Sequence, residues 1–166
     1  VHMIATFLKK NMPGFQQAIV SDTAHIVGVR YTRWIDAGFD LTQKHVVEGA
    51  KFDDVVGVRA SSIRHPKGGV VYLPKSFDIP YRIMLPRNVE NIIISSGKSV
   101  STTPRGLLRG QVACYILGQA SGVAAAVAAK KNWTSHDLNI RVVQKDLLKQ
   151  NVYLGTQERL VELGLI

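Results

Sequence analysis

The triplet Gly97-Lys98-Ser99 directly follows an apolar run, Asn91-Ile92-Ile93-Ile94-Ser95, and precedes a long uncharged stretch. A strand, a glycine-containing turn and a helix start bring free backbone N–H groups together with the positive end of a helix dipole. α/β proteins hold anions and electron-rich ligands in this way. The sharpest version would be a phosphate-cradling P-loop, but that motif needs a glycine where Ile92 stands, and a long loop separates Lys98 from the next helix. Nucleoside-triphosphate chemistry is therefore not expected. Arg109 is a second signal, because a cation at a helix start opposes the dipole unless an anion or electron-rich group lies beside it.

Other residues are candidates of a weaker kind. Arg82 follows Pro80-Tyr81 and could hold a substrate carboxylate through its fork. Arg30 and Arg33 have strand spacing that turns them to opposite faces, so one of them, with Arg33 preferred, can face a ligand. His65 stands in Ile63-Arg64-His65-Pro66 and reads more simply as a loop histidine. Cys114, the single cysteine, excludes an internal disulfide and a cysteine-based zinc site. It reads as a small packing residue, and no metal centre is expected.

Short extended pieces are expected at Ala18-Ile19-Val20, at His25 to Ile35, and between Val55 and Tyr72, where turns such as Pro66-Lys67-Gly68-Gly69 separate them. Asp78 to Leu85 is expected as another extended piece, an edge or an irregular strand because it contains Pro80. Helices are expected before Lys10, over Gln43 to Gly49 with Thr42 as cap, and from Asn139, behind which Ile140, Val143, Leu147 and Leu148 share one face. The run Ile92 to Ser95 has the pattern of a strand buried on both faces in a parallel sheet. Val112 to Ala129 is long enough to span a bilayer. Ala, Gly and Ser dominate it, however, and Gln119 sits at its centre, so a helix buried against a sheet through Gly118-x-x-x-Gly122 is expected and no membrane partner.

With 46% hydrophobic residues the chain can build a core, so disorder is excluded. The 21 basic residues against 12 acidic give +9, yet lysines and arginines occur singly or in pairs, without the aromatic interleaving of a nucleic-acid surface. No nucleic-acid partner is expected. The lone cysteine suits a reducing compartment, and the first residues contain no secretory pattern, so a cytoplasmic location is expected.

The runs Asp78-Ile79-Pro80-Tyr81-Arg82, Leu85-Pro86, Val89 to Ser101, Gly106-Leu107-Leu108-Arg109, Cys114 and Leu117-Gly118-Gln119-Ala120-Ser121-Gly122-Val123-Ala124-Ala125-Ala126 resemble the C-terminal region of the FAD-dependent oxidoreductase family that includes xanthan-lyase-like flavoproteins. Ile26 to Arg33 and Phe52-Asp53-Asp54 are similar to earlier family segments, more loosely. The resemblance implies an α/β fold. A substrate-facing, β-rich portion (residues 1–88) joins the closing strand and helices (residues 89–166) of a Rossmann-like FAD-binding domain, so the isolated piece has α+β character. No G-x-G-x-x-G occurs in the chain, so the dinucleotide-binding half is expected to be the remainder of its own polypeptide. By the same resemblance Gly97, Lys98, Ser99, Ser101, Leu108, Arg109, Gly110 and Gln111 approach the flavin, and a small-molecule substrate exchanges a hydride with it. The sequence departs from the family where Thr103-Pro104-Arg105 fills a loop in which a His-Glu pair is usual, which leaves the substrate class open. The alternative functions are a non-catalytic binding or assembly module and a small-molecule-binding α/β domain unrelated to flavin.

Overall fold

The computed structural model describes residues 1–26, 28–30, 33–64 and 69–166. In chain order the elements are α1 (His2–Asn11), β1 (Leu41–Thr42), α2 (Gln43–Glu48), β2 (Val55–Arg64), β3 (Val70–Pro80), a 3-10 turn (Tyr81–Met84), β4 (Thr102–Thr103), α3 (Gln111–Lys131), α4 (Ile140–Lys149) and α5 (Gln157–Glu162). Helix and strand are intermingled, in keeping with an α/β class. Among the described residues the strands form two small sheets, a parallel pair β1–β4 and an antiparallel hairpin β2–β3.

Local chemistry accounts for several boundaries. Thr42 Oγ1 accepts from the His45 N–H at 3.3 Å while His45 Nδ1 accepts from the Thr42 N–H at 3.1 Å, a reciprocal cap that starts α2. Gly49 ends it in the left-handed conformation (φ 72°). In place of several short strands, Val55 onward forms one long hairpin with register irregularities between Val55 and Gly57 and between Ala60 and Ser62. The strand expected to begin at Asp78 is the end of β3, and Pro80, which has no N–H to donate, is its last residue. Residues 65–68, carrying the candidate His65 and most of the expected turn, lie outside the described residues.

Two expectations are corrected. Asn91 to Ser95 is not a buried strand: among the described residues its one backbone–backbone bond to another segment runs from the Ile94 N–H to Met84 O (2.8 Å), the Asn91 N–H donates to Ser135 Oγ (3.0 Å), and Ile92 is 45% exposed. A run this apolar becomes a central strand only with a strand on each side, and among the described residues no strand pairs with it. The pieces expected at residues 18–20 and 25–35 form no strand among the described residues, and Ile19 and Ile26 are exposed. α1 buries nothing.

One core serves residues on both sides of position 88. It contains Leu41, Val55, Val56, Ile79, Ile83 and Met84 together with Leu108, Leu117, Ala120, Val143 and Leu147, all fully buried. α3 lies on β2 so closely that a Cβ at Gly57 would stand 2.3 Å from Ile116 Cγ2. Gln144, fully buried on α4, donates to Asp53 O (2.7 Å) and Val55 O (2.9 Å), satisfying the start of β2. The helix begun at Asn139 is as expected, whereas α5, capped by Thr156, was not anticipated.

Candidate functional site

The loop between β4 and α3 is fastened to the rest of the molecule by one carboxylate. Asp40 Oδ1 accepts from Ser101 Oγ (2.6 Å) and from an Arg105 guanidinium N–H (3.2 Å), and Oδ2 accepts from the Thr103 hydroxyl. Partial burial raises the Asp40 pKa, but the Ser101 and Thr103 hydrogen bonds and the Arg105 charge outweigh it and hold the carboxyl below the usual range. The parallel pairing of Leu41 with Thr102 continues the same clasp. Arg105 is also stacked 5.4 Å over the Trp34 ring.

Upstream, the glycine-serine loop folds back on the start of α3. A Cβ at Gly97 would fall 1.8 Å from Leu108 O, so only glycine allows this backbone approach. The Ser99 N–H donates to Ser96 O (2.9 Å) and Ser99 O accepts from the Ile35 N–H (2.9 Å). Gly110 stands at the N-cap of α3 and offers no side chain, leaving the first-turn N–H groups without a side-chain acceptor.

The expected flavin-facing residues divide into two groups. Gly97, Ser101 and Leu108 are buried in the chain's own packing. Ser101 donates to Asp40 and accepts from the Ala37 N–H (3.3 Å), and Leu108 is fully buried, so neither side chain is open to a ligand. Lys98, Ser99, Arg109, Gly110 and Gln111 retain exposed surface. Arg82 is committed elsewhere: Nε and a terminal nitrogen grip Asp54 at 2.8 and 2.6 Å, and the guanidinium lies 5.4 Å from the Phe39 ring centre and 5.9 Å from that of Phe52. The Asp54 hydrogen bond raises its pKa further, and a fork already filled by a carboxylate is not the substrate's. Arg33 is exposed and without an ion pair among the described residues.

Sequence reasoning missed Arg59, Asp40 and Trp34, and noticed Arg105 only as part of a shortened loop. Arg59 on β2, Arg105 and Arg109 line one groove of about 550 Å³ beside the start of α3. Arg59 was missed because the strand irregularities decide its face, and spacing does not reveal them.

The long helix itself has two unlike sides. Ala113, Leu117, Ala120, Ser121, Ala124 and Val127 are buried, while Val112 (61% exposed) and Tyr115 (71%) are not, and a Cβ on Gly118 or Gly122 would meet nothing within 4 Å. The close approach expected through Gly118 and Gly122 is therefore corrected: the glycine that permits it is Gly57, on the strand. A groove of about 500 Å³ runs between the Ile93–Ser95 segment and the Gly122, Ala125 and Ala129 side of the helix. By length and composition α3 could cross a membrane, with a mean hydropathy of 1.6 and a third of that window buried.

A family model described as FAD dependent oxidoreductase matches residues 1–147. No curated protein and no solved structure matches the chain.

Proposed function

Because the chain belongs to the FAD dependent oxidoreductase family, we propose that residues 89–166 close an FAD-binding domain of Rossmann type over the flavin and that residues 1–88 face a small-molecule substrate. The match over residues 1–147 carries this reading. The finer motif spacing supports a place near the C-terminus of a xanthan-lyase-like flavoprotein, and the lone cysteine supports a reducing, cytoplasmic setting.

The residues present fit such a ligand. Gly97 brings its loop within backbone contact of Leu108, directly before the uncapped start of α3, so Lys98, Ser99 and the first-turn N–H groups can share one partner. Arg109 would add charge where the helix dipole already favours an electron-rich group. FAD, when bound, would supply the redox centre by exchanging a hydride with the substrate. The chain's own work is to orient, to exclude water and to present positive potential.

The remainder of the polypeptide, carrying the G-x-G-x-x-G half, is the proposed cover for the open side of α3 and for the partly exposed Ile92–Ser95 segment. A helix apolar all round needs cover on more than one side. Protein fits that side better than lipid, since it presents Gly118, Gln119, Gly122 and Ala126. The dispersed basic residues support no nucleic-acid partner.

Absorbance after gel filtration tests the reading. The 166-residue chain alone is expected to emerge colourless, because a closing element offers too few contacts to offset the entropy of association. Joined to its dinucleotide-binding half, the protein is expected to carry flavin. Near-equimolar flavin on the chain alone, or none on the joined protein, overturns the proposal.

A further inference from the structure

Three arginines, one from β2 and two from the loop between β4 and α3, line one groove of about 550 Å³, within the size range of small-molecule sites. Arg59 reaches it from β2, and one of its terminal nitrogens lies 3.6 Å from where a Gly110 Cβ would stand, which sets it against the start of α3. Arg105 and Arg109 come from the one loop between β4 and α3, four residues apart. Among the described residues Asp40 is the only carboxylate paired with any of them, and it already serves Ser101 and Thr103. Arg59 and Arg109 have no ion pair among the described residues, and both are half-buried. Positive charges gathered in a partly desolvated recess repel one another, and the recess becomes favourable when an anion enters.

We propose that this groove binds a small organic oxyanion, a carboxylate or phosphate, gripped by the forks of Arg59 and Arg109. A planar guanidinium matches either group with two parallel hydrogen bonds. Arg105 plays a different part: Asp40 and Trp34 fix it in place, so it supplies a preset charge at the wall. The hydroxyl of Ser62 and the amide of Gln43, on the same wall, can orient the rest of the ligand. That the oxyanion belongs to the substrate rests on the flavin-side reading of residues 97–111, whereas the binding of an oxyanion does not.

Calorimetric titration of the chain at low salt tests the proposal, with succinate, inorganic phosphate and the neutral succinamide as probes. Saturable binding of succinate or phosphate, but not of succinamide, is expected, and the tighter of the two identifies the ligand's acidic group. Arg59→Gln is expected to weaken that binding about tenfold, with Arg59→Lys, which keeps the charge and loses the fork, in between. Melting curves without anion show whether each variant folds. If Arg59→Gln does not, Arg109→Gln, which lies outside the strands and helices, carries the same test. No saturable binding of either anion, or equal binding by a folded fork variant and the parent, overturns the proposal. Flavin retention by the joined protein is read separately from its visible absorbance, so a flavin-loaded protein that ignores both anions sinks the groove alone. Anion binding in a protein that never retains flavin sinks only the flavin-side reading.

Discussion

The two sides of α3 are built from the same small, apolar residues, yet one is part of the core and the other is bare. On the covered side Ala113, Leu117, Ala120 and Ala124 are fully buried against β2 and α4. On the other, Gly118 and Gly122 face open space. Composition therefore tells that a helix is built to be covered, and it does not tell by what or on which side first. The closeness of helix to strand depends on where a side chain is missing, and the missing one is at Gly57 of the strand.

Substitutions can break or sharpen that contrast. Leu117→Ala empties a fully buried position on the covered side and is expected to cost about 2–5 kcal/mol by denaturant unfolding. A loss below about 1 kcal/mol would mean the covered side is loosely packed. Gly97→Ala drives a methyl into Leu108 O at the head of the same helix and is expected to cost about 1–3 kcal/mol, seen as a lower melting temperature. Asp40→Asn, which weakens the clasp leading into α3, is expected to cost about 1 kcal/mol near neutral pH. Because the folded-state pKa of Asp40 lies below its ordinary value of 3.8, its contribution is present above that value and fades as pH falls through the folded pKa. Parent and Asp40→Asn should thus converge in stability in acid, and a constant gap down to acid unfolding would remove the charge from the account. Gly122→Leu, on the bare side, is expected to leave this chain no less stable, with a gain of up to about 1 kcal/mol from the better helix propensity of Leu. In the protein joined to its proposed partner half, the same change should overpack the contact. A large loss in the chain alone would show that the bare side is already covered.

Signals confined to a few neighbouring residues were legible in the sequence. Thr42 and Asn139 announce their helices because a cap is a bond between near neighbours. The glycine at position 97 belonged to a recognisable loop, although its reason, contact with Leu108 O, is tertiary. Ile92-Ile93-Ile94 was read as a buried strand because apolar runs report the need for cover, not its presence. Arg82 looked free because its partner Asp54 comes from another turn of the chain, and Arg59 went unnoticed because two irregularities in the hairpin set its direction. α5 is six residues long, too short for periodicity to reveal.

The clasp at Asp40 also has a kinetic meaning. It joins residues 61 positions apart, whereas β2 and β3 pair within one hairpin. Closing the longer loop costs more chain entropy before any contact rewards it, so the hairpin is expected to be structured at the folding transition state and the clasp to form after it. Asp40→Asn should accordingly speed unfolding and leave the refolding rate close to that of the parent, making this carboxylate a determinant of how long the native state lasts rather than how quickly it is reached.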